Sequence, residues 1–450
     1  MLFVSLKLNQ VVESDLCIAC GACIESCPKD NIKPHYSEIR GAHEIKISDI
    51  DICGPCEKPC ENVCPSIKVD FFDASKRIDA TVDYSPSVAE KSSYDLDKNA
   101  RIGPIEKVYV GYSSMYQNDG VSSSGGIIRQ LLDYTLTNDV SVICLAGENG
   151  SYLPEVLTSK NDLKRMPGSI YHGVSFTGAI KLLREVQGQA VIVAIPCQFE
   201  GILQYIRKME PELEKKIFLK VGIICGWMYT DHSYKMFSSF SGIKGNISSV
   251  SYRGEDEVGK LKIVANDKEH KFDRRKWKTF KSWFIYSASY SRDMNRLRCR
   301  TCQNHTNILA DISVGDAWLA RKTSEKVSIV VTRTSQGQKM IEKMLNLSVI
   351  NLELGGIDDI EESQSEDLVY GTSARKYIDS MKANQQFYPE FIFDSQLVNE
   401  TVEENKKTTL KSEFFRRKVL RSGLYKFYSF LYLLSKREML KKRVLARFNK

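Results

Sequence analysis

The sequence predicts an α+β protein of three parts: a cysteine-rich N-terminal domain, a larger α/β domain and a basic helical C-terminal tail. Two cysteine quartets near the start, a later alternation of apolar strands with amphipathic helices, and a basic end predict this division. The parts fall at residues 1–75, 105–395 and 396–450, with a polar linker at 76–104. At 450 residues and 42% hydrophobic, the chain can form two or three folded units.

The cysteine quartets have the spacing of a bacterial-type ferredoxin. CIACGACIESCP reads C-x2-C-x2-C-x3-C-P, and CGPCEKPCENVCP repeats it with one more residue between its second and third cysteines. In this pattern three thiolates of one motif hold a 4Fe-4S cluster, and the fourth, ahead of a proline, reaches the other cluster. The predicted ligands are Cys17, Cys20, Cys23 and Cys64 for one cluster, and Cys53, Cys56, Cys60 and Cys27 for the other.

The alternative for these cysteines is a pair of zinc ribbons, which also use C-x2-C knuckles. Zinc sites rarely place four cysteines within eleven residues ahead of a proline, and this chain does so at its first quartet and nearly repeats it at the second. We therefore expect an N-terminal bacterial-type ferredoxin domain with two 4Fe-4S clusters, which carry single electrons.

The N terminus and the apolar runs predict a cytoplasmic protein. Residues 1–15 alternate like a strand and lack the basic region and cleavage site of a signal peptide. No run approaches the roughly eighteen apolar residues of a membrane span. In a reducing compartment, thirteen cysteines favour metal or redox chemistry over disulfides.

The positive charge of the chain is concentrated in its tail. Residues 406–450 hold fifteen Lys and Arg and two acidic residues, a local charge of +13, which leaves −5 for the rest of a chain of net charge +8. With its interleaved aromatic residues, the tail suits either the anionic inner face of a membrane, as a peripheral segment, or packing on the body or on a partner subunit. Nucleic acid is not expected, because no reading motif accompanies the charge.

The middle of the chain alternates strand-like and helix-like segments. The strand-like ones are KVYVGYSS (107–114), VSVICLA, AVIVAIPCQ (190–198) and IFLKVGIICGW (217–227). This alternation predicts a largely parallel sheet with functional loops at the carboxyl ends of its strands. Residues 247–290 predict a hairpin insertion and a long connection, and one more strand and helix follow residue 325.

Two features of this domain carry candidate chemistry. The loop Ser122, Ser123, Ser124, Gly125 and Gly126 precedes a helix, so it suits either a phosphate or an ordinary tight turn. Four further cysteines follow predicted strands or form a C-x2-C knuckle, and spacing alone leaves a ligand set and scattered buried thiols equally open. They are Cys197, Cys225, Cys299 and Cys302; the fifth, Cys144, is expected in the core.

The strings DGVSSSGGIIRQLL, AVIVAIPCQFEGIL, LKVGIICGW, SYRGEDEVGKL and LRCRTCQNHTNILADISVGDAW resemble, in this order, the catalytic domain of the coenzyme F-420 (deazaflavin) hydrogenase/dehydrogenase beta-subunit family. The likeness covers roughly residues 10–335. It implies an α/β flavin-binding domain with FAD and a third 4Fe-4S cluster held by the four further cysteines. The implied flavin contacts are Ser122, Ser123, Ser124, Gly125, Gly126, Gln198 and Asp316, with Asp311 nearby.

The chain departs from the family at two loops that face the flavin. Ala194-Ile195-Pro196-Cys197 stands where the family often has Gly-Thr-Pro-Cys, and Gly226-Trp227-Met228 stands where it often has Gly-Val-Pro. These departures concern the substrate more than the redox groups. Gln198, Lys181 and Tyr171 are the residues to test for an effect on the flavin, although a surface lysine and a half-buried tyrosine are the simpler interpretations. His172 and His305 are likewise either residues that affect the flavin or ordinary structural residues.

The resulting functional hypothesis is an iron–sulfur flavoprotein oxidoreductase. It would pass electrons between an electron-carrier protein or partner redox subunit and a small-molecule substrate, with coenzyme F-420 as one candidate. The alternative is a non-catalytic electron-transfer subunit that serves a partner enzyme. A third hypothesis is a binding protein whose later cysteines hold zinc. No catalytic residue is identified from the sequence.

Overall fold

The computed structural model describes residues 7–53, 55–71, 102–137, 139–148, 150–253, 260–273, 280–319, 326–392 and 415–435. The predicted linker as far as residue 101 therefore lies outside the described residues. So do residues 1–6, and the tail except for residues 415–435.

The N-terminal domain contains three short helices and three short strands: α1 (Lys7–Glu13), α2 (Ala22–Glu25), β1 (Ile32–Ser37), β2 (Ala42–Ile47), α3 (Pro59–Asn62) and β3 (Lys68–Asp70). The prediction of a strand at the N terminus is wrong for residues 7–13, which form α1. Leu8 and Val11 lie three residues apart and are both buried, so these apolar residues share one face of a helix. β1 and β2 form an antiparallel hairpin.

The large domain is built on eight strands: β4 (Lys107–Ser113), β5 (Val140–Glu148), β6 (Ser151–Leu157), β7 (Gln189–Ala194), β8 (Ile217–Ile223), β12 (Ile312–Asp316), β13 (Ser328–Thr332) and β14 (Ile350–Gly355). Their order is β14-β4-β13-β12-β8-β7-β5-β6. Among these described strands only the β5–β7, β7–β8 and β8–β12 pairings are parallel, so the prediction of a largely parallel sheet is wrong. Short connections such as residues 149–150 and 317–327 cannot form the crossovers that parallel strands need.

Helices cover both faces of this sheet. The helices of this domain are α4 (Ile127–Thr135), α5 (Ala179–Glu185), α6 (Pro196–Met209), α9 (Leu297–Arg300), α10 (Ser335–Asn346), α11 (Ile357–Ser363) and α12 (Ser365–Ala383). Strand β7 illustrates the layering, because Ile192 packs in one apolar cluster with α5 and α6, whereas Val191 packs in another with α4 and α10. Such alternation places successive side chains on opposite faces of a strand.

A smaller antiparallel sheet lies beside the large one, in the order β11-β10-β9. It consists of β9 (Ile247–Ser251), β10 (Lys260–Ala265) and β11 (Lys268–Asp273), flanked by α7 (His232–Phe240) and α8 (Phe280–Ser289). This agrees with the predicted hairpin insertion, with one strand more. Short 3-10 helices occur at Asp51–Cys53, Lys160–Arg165, Pro211–Lys216 and Arg292–Met294.

The N-terminal domain packs closely on the large domain. Ile18, Cys20 and Ala22 join the same apolar cluster as helices α5 and α6. The Phe176 backbone N–H donates to Ala19 O at 2.9 Å, and strand β15 (Glu390–Ile392) pairs in parallel with β3. The two domains therefore share a core.

The described part of the tail packs on the body of the protein. Residues 415–421 form α13, and Tyr425–Ser435 form α14. Val419, Leu420 and Tyr428 join an apolar cluster of the body, and Arg421 pairs with Asp15 at 2.7 Å. Packing on the body is one of the two alternatives that the sequence left open.

Leu424, Phe427, Phe430 and Leu433 of the tail remain exposed. Among the described helices, none combines the length and the apolar character needed to cross a bilayer.

Gly201, in helix α6, sets the distance between the two domains. A Cβ atom at this position would lie 2.6 Å from Cys20 Sγ and 3.5 Å from Pro65 Cγ. Alanine usually stabilises a helix relative to glycine by roughly 0.8–1 kcal/mol. At Gly201 we instead expect Gly201→Ala to destabilise the protein by about 1–3 kcal/mol through overpacking, measured as a lower unfolding midpoint of anaerobic protein.

The matched control for this prediction is Gly356→Ala. Gly356 has extended backbone, and an added Cβ there meets no atom closer than 4.0 Å. Its unfolding midpoint should match that of the wild type to within about 0.5 kcal/mol. An unchanged or raised midpoint for Gly201→Ala would contradict the close approach.

Candidate redox site

The eight N-terminal cysteines gather in two groups of four. Group one is Cys17, Cys20, Cys23 and Cys64; group two is Cys27, Cys53, Cys56 and Cys60. Burial raises the pKa of the Cys23 thiol, and nearby Cys64 raises it further. Burial likewise raises the pKa of Cys60 to about 12, with smaller contributions from Glu61, Cys27, Cys53 and Cys56. The thiols are grouped as the crossed pairing predicts, and their role as ligands stays a prediction.

The two groups differ in their exposure to solvent. All four thiols of group one are buried, whereas in group two only Cys60 is. Group two surrounds a small cavity that Leu8, Ile32 and Ile47 also line. Group two is therefore the one nearer to the surface.

Backbone and amide N–H groups point at the sulfurs of group two. Asn31 N donates to Cys27 Sγ, and Asn31 Nδ2 donates to Cys53 Sγ, each at 3.4 Å. Lys58 N donates to Cys56 Sγ at 3.4 Å. Donors of this kind stabilise the negative charge of thiolates and of iron–sulfur clusters.

The four later cysteines meet at the carboxyl ends of two adjacent parallel strands. Cys197 lies in the first turn of α6 after β7, and Cys225 follows the end of β8. Cys299 and Cys302 come from α9 and the turn behind it. Burial raises the pKa of Cys197, and Cys299 and Cys225 raise it further, which places these three thiols near one another. We call Cys197, Cys225, Cys299 and Cys302 group three.

Group three is also linked by the backbone. Met228 N donates to Cys299 Sγ at 3.4 Å, and Cys302 N donates to Cys299 O at 3.3 Å. Cys225 N donates to His305 O at 2.9 Å. Among the described residues, no three His, Cys, Asp or Glu side chains are arranged to hold a single metal ion, so the three groups rest on proximity alone.

A cleft of about 300 Å³ opens next to group three, and Cys225 is part of its wall. Six of the seven predicted flavin contacts line it: Ser122, Ser123, Ser124, Gly126, Gln198 and Asp316. Gly125 is the exception, because its N–H donates to Ser328 Oγ at 2.9 Å and its Cα packs against strand β4. The volume lies at the lower end of the range for ligand pockets.

The loop before α4 has a backbone that only glycine fits at residue 126. Gly126 has φ 74°, and a Cβ there would lie 2.5 Å from the Tyr116 carbonyl carbon. Helix α4 has no side-chain cap at its N terminus. The N–H groups of its first turn are therefore available to an anion.

Gln198 and Asp316 hold defined positions in the cleft. Gln198 is buried and accepts a hydrogen bond from Ile195 N at 3.0 Å. Asp316 forms an ion pair with Arg253, whose Nη2 also donates to Ser123 O at 2.5 Å. Arg253 thus connects the end of strand β12 to the serine loop.

Asp311 does not lie near the cleft, in contrast to what the family likeness implied. It precedes strand β12, whereas Asp316 ends that strand. Its carboxylate accepts from Lys220 N at 2.7 Å and pairs with Lys220 Nζ at 3.1 Å. Asp311 therefore stabilises the start of the strand.

The other residues singled out from the sequence have separate positions. Tyr171 lines the cleft, whereas the Lys181 side chain is 63% exposed beside Glu185. His172 also lines the cleft, and its Nδ1 lies 3.0 Å from Tyr252 Oη. His305 Nδ1 lies 3.0 Å from Cys225 O. Lys181 is therefore a surface residue, and Cys144 is buried in β5 as expected.

Sequence reasoning missed a second cavity, of about 530 Å³, which shares Tyr171, Gly226, Trp227 and Asp316 with the cleft. Its aromatic lining comprises Tyr171, Trp227, Tyr229, Tyr252, Tyr286, Tyr290 and Trp318. These residues come from separate segments of the chain, so no local sequence motif predicts the cavity. The only signals in the sequence are the 21 tyrosines and the tryptophan at the departure from the family pattern.

Two families match the chain. Residues 188–355 match the C-terminal part of the coenzyme F420 hydrogenase/dehydrogenase beta chain, and residues 16–67 match a 4Fe-4S dicluster domain. The likeness to the coenzyme F420 hydrogenase/dehydrogenase beta-subunit family that the sequence indicated is confirmed over residues 188–355. The first match contains all of group three, and the second contains all of groups one and two. The chain is thus an iron–sulfur protein of an oxidoreductase family.

Two curated relatives of the chain are named as oxidoreductases. The F component of the F(420)H(2) dehydrogenase of Methanosarcina mazei is 24% identical over 356 residues, which is 75% of this chain and 84% of the relative. The coenzyme F420-dependent sulfite reductase of Methanocaldococcus jannaschii is 23% identical over 369 residues, 77% of this chain. The aligned part spans only 49% of that relative.

A solved structure, the F420-reducing [NiFe] hydrogenase complex from Methanosarcina barkeri, contains a similar chain. The identity is 17% with a TM-score of 0.47, over 64% of this chain and 95% of that chain.

Proposed function

We propose that the protein is an iron–sulfur flavoprotein oxidoreductase that exchanges electrons between 4Fe-4S clusters and a small molecule through a flavin, with FAD as the expected form. The observation that supports this is a continuous succession of sites. Group two lies near the surface and group one behind it. Group one contacts helix α6 one turn from Cys197, and Cys225 of group three lines the cleft.

The residues of group three fit a third cluster. The four thiols converge from two strand ends and one short helix, and Met228 N donates to one of them. Buried donors of Arg298 beside the group, Nε and Nη1, have no partner among the described residues. Sulfur atoms of a cluster would supply the acceptors that such buried donors need.

The cleft offers donors that suit a flavin. The uncapped first turn of α4 would hold the phosphates, and Gln198 would face the ring system from the first turn of α6. Arg253 would hold the Asp316 carboxylate and the serine loop in place at the cleft. A bound flavin supplies the junction at which an electron pair with its proton, moving as hydride, is exchanged for two single electrons.

The aromatic cavity is the proposed place for the substrate. It adjoins the cleft, and aromatic side chains stack well on a planar molecule. Coenzyme F420, named in the two relatives, is the first candidate. The alternative function is non-catalytic electron transfer to a partner redox protein. Contact of the exposed apolar residues of α14 with a membrane surface or a partner stays a prediction.

The overall proposal predicts the cofactor content of the protein. Anaerobically purified protein should contain about twelve irons and about one flavin per chain, because three clusters of four irons are expected. About eight irons without flavin would refute the third cluster and the flavin together. If dithionite-reduced protein turns over neither coenzyme F420, NAD(P)+ nor other acceptors offered singly, the non-catalytic electron-transfer role becomes the better description.

The ligand role of group three predicts the effect of Cys299→Ser. This variant should lose about four irons per chain and keep the spectroscopic signals of the two N-terminal clusters, since only one group is changed. The control is Cys144→Ser, which alters a cysteine buried in strand β5 and should keep all the iron. Unchanged iron in Cys299→Ser would show that Cys299 is not a ligand.

The phosphate position predicts the effect of a charge in the first turn of α4. Ile128 lines the cleft there. Ile128→Glu should leave the helix stable, because a carboxylate near a helix N terminus contributes about 0.3–1 kcal/mol, yet it should repel flavin phosphates and lower the flavin content several-fold. Ile128→Gln, similar in size and uncharged, is the control and should retain flavin. Equal flavin in both variants would place the phosphates elsewhere.

A further inference from the structure

A fully buried ion pair lies beside group three. Arg298 Nη2 and Glu200 Oε2 are 2.6 Å apart, and their side chains are 1% and 0% exposed. Glu200 follows Cys197 by three residues in helix α6, and Arg298 immediately precedes Cys299 in α9. One charge is therefore attached to each of the two helices that supply thiols to group three.

The same pair reaches group one on its other side. Gly201, next to Glu200, packs so closely on Cys20 that a Cβ would lie 2.6 Å from its Sγ. Arg298 Nη2 donates to the carbonyl of Pro65 at 3.4 Å, and Pro65 follows Cys64 in the chain. The pair thus lies between the two groups of cysteines.

The hydrogen bonds of the pair are incomplete on the arginine side only. Glu200 Oε1 accepts from Asn304 Nδ2 at 3.1 Å, and the Arg298 guanidinium stacks over Phe391 at 4.7 Å. Arg298 Nε and Nη1 are buried and have no hydrogen-bond partner in the described structure. A buried cationic donor without an acceptor is strongly unfavourable, so these atoms call for an acceptor that is a part of the working protein.

We propose that Arg298 and Glu200 set the reduction potential of the third cluster, with the free donors of Arg298 directed to its sulfur atoms. This rests on the proposed function, in which group three holds that cluster. Reduction adds one negative charge to a cluster, so a nearby guanidinium favours the reduced state and a nearby carboxylate favours the oxidised state. Arg298 and Glu200 would act on electron transfer between groups one and three through their charges.

The test is a redox titration of each cluster in the full-length holoprotein, followed by electron paramagnetic resonance. In Arg298→Met the third cluster should be harder to reduce, with the oxidised-to-reduced ratio at a fixed potential raised at least about tenfold, which is 59 mV for one electron. In Glu200→Gln the ratio should fall by a similar factor. The double variant Arg298→Met/Glu200→Gln should return to within about threefold of the wild type.

The opposite directions of the two potential shifts distinguish this role from a merely structural one. Misfolding or loss of packing would move both single variants in the same direction, and either that result or no shift would overturn the proposal. Arg298→Lys keeps the positive charge but loses the planar guanidinium, so the potential of its third cluster should lie between those of the wild type and Arg298→Met. If one single variant fails to fold, the other still decides, because each has its own expected direction of shift in the potential of the third cluster.

Two internal controls accompany the titration. The cluster at group two should keep its potential in every variant, whereas the cluster at group one should shift in the same direction as the third, by less. Lys220→Met, which breaks the Lys220–Asp311 pair at the start of strand β12, should leave all three potentials unchanged. A wild-type protein with only eight irons would refute the proposed function. Twelve irons, with the same potentials in the charge variants as in the wild type, would refute this inference alone.

Discussion

The rest of the structure depends on the absence of a side chain at Gly201. The Cys20 sulfur occupies the space that a Cβ would need, so the N-terminal domain can approach helix α6 to within van der Waals contact. Hydrogen bonds around the contact fix its orientation, such as Phe176 N to Ala19 O at 2.9 Å and Arg296 to the carbonyl of Cys17. A loose linker could not reproduce this geometry, because electron transfer between clusters needs a constant separation.

Helix α6 carries residues of several sites along its length. Its first turn carries Cys197 and Gln198, which face group three and the cleft, and Glu200 and Gly201 follow within one further turn. One rigid element therefore holds a thiol, a cleft residue, a buried charge and the contact with Cys20. Because the helix begins at the end of strand β7, beside the end of β8, the adjacent parallel strands bring Cys225 to the same point.

The features that were predictable from the sequence are local ones. Cysteine spacing within each quartet reports on a single loop, and the alternation of apolar strands and helices reports on single elements. One antiparallel edge of the sheet was missed because its pairing joins strands far apart in the chain, such as β4 with β13 and β14; the other edge is the local hairpin of β5 and β6. The strand predicted for residues 1–15 was wrong at residues 7–13, where Leu8 and Val11 lie on one face of a helix and pack against the cysteine loops. The aromatic cavity and the Glu200–Arg298 pair, 98 residues apart, have no local signature.

The buried pair is better explained by its electric field than by stability. Replacing a buried ion pair with apolar residues of similar volume is often neutral or stabilising, because desolvation of two charges offsets their attraction. An apolar replacement would, however, remove two fixed charges from the wall between groups one and three, where the low dielectric lets each charge act strongly on its neighbours. Glu200 accepts from both Arg298 and Asn304, whereas Arg298 Nε and Nη1 have no partner in the described structure, so these two donors suit the third cluster that we propose for group three. A pair that contributed to the fold alone would gain nothing from leaving these donors unpaired.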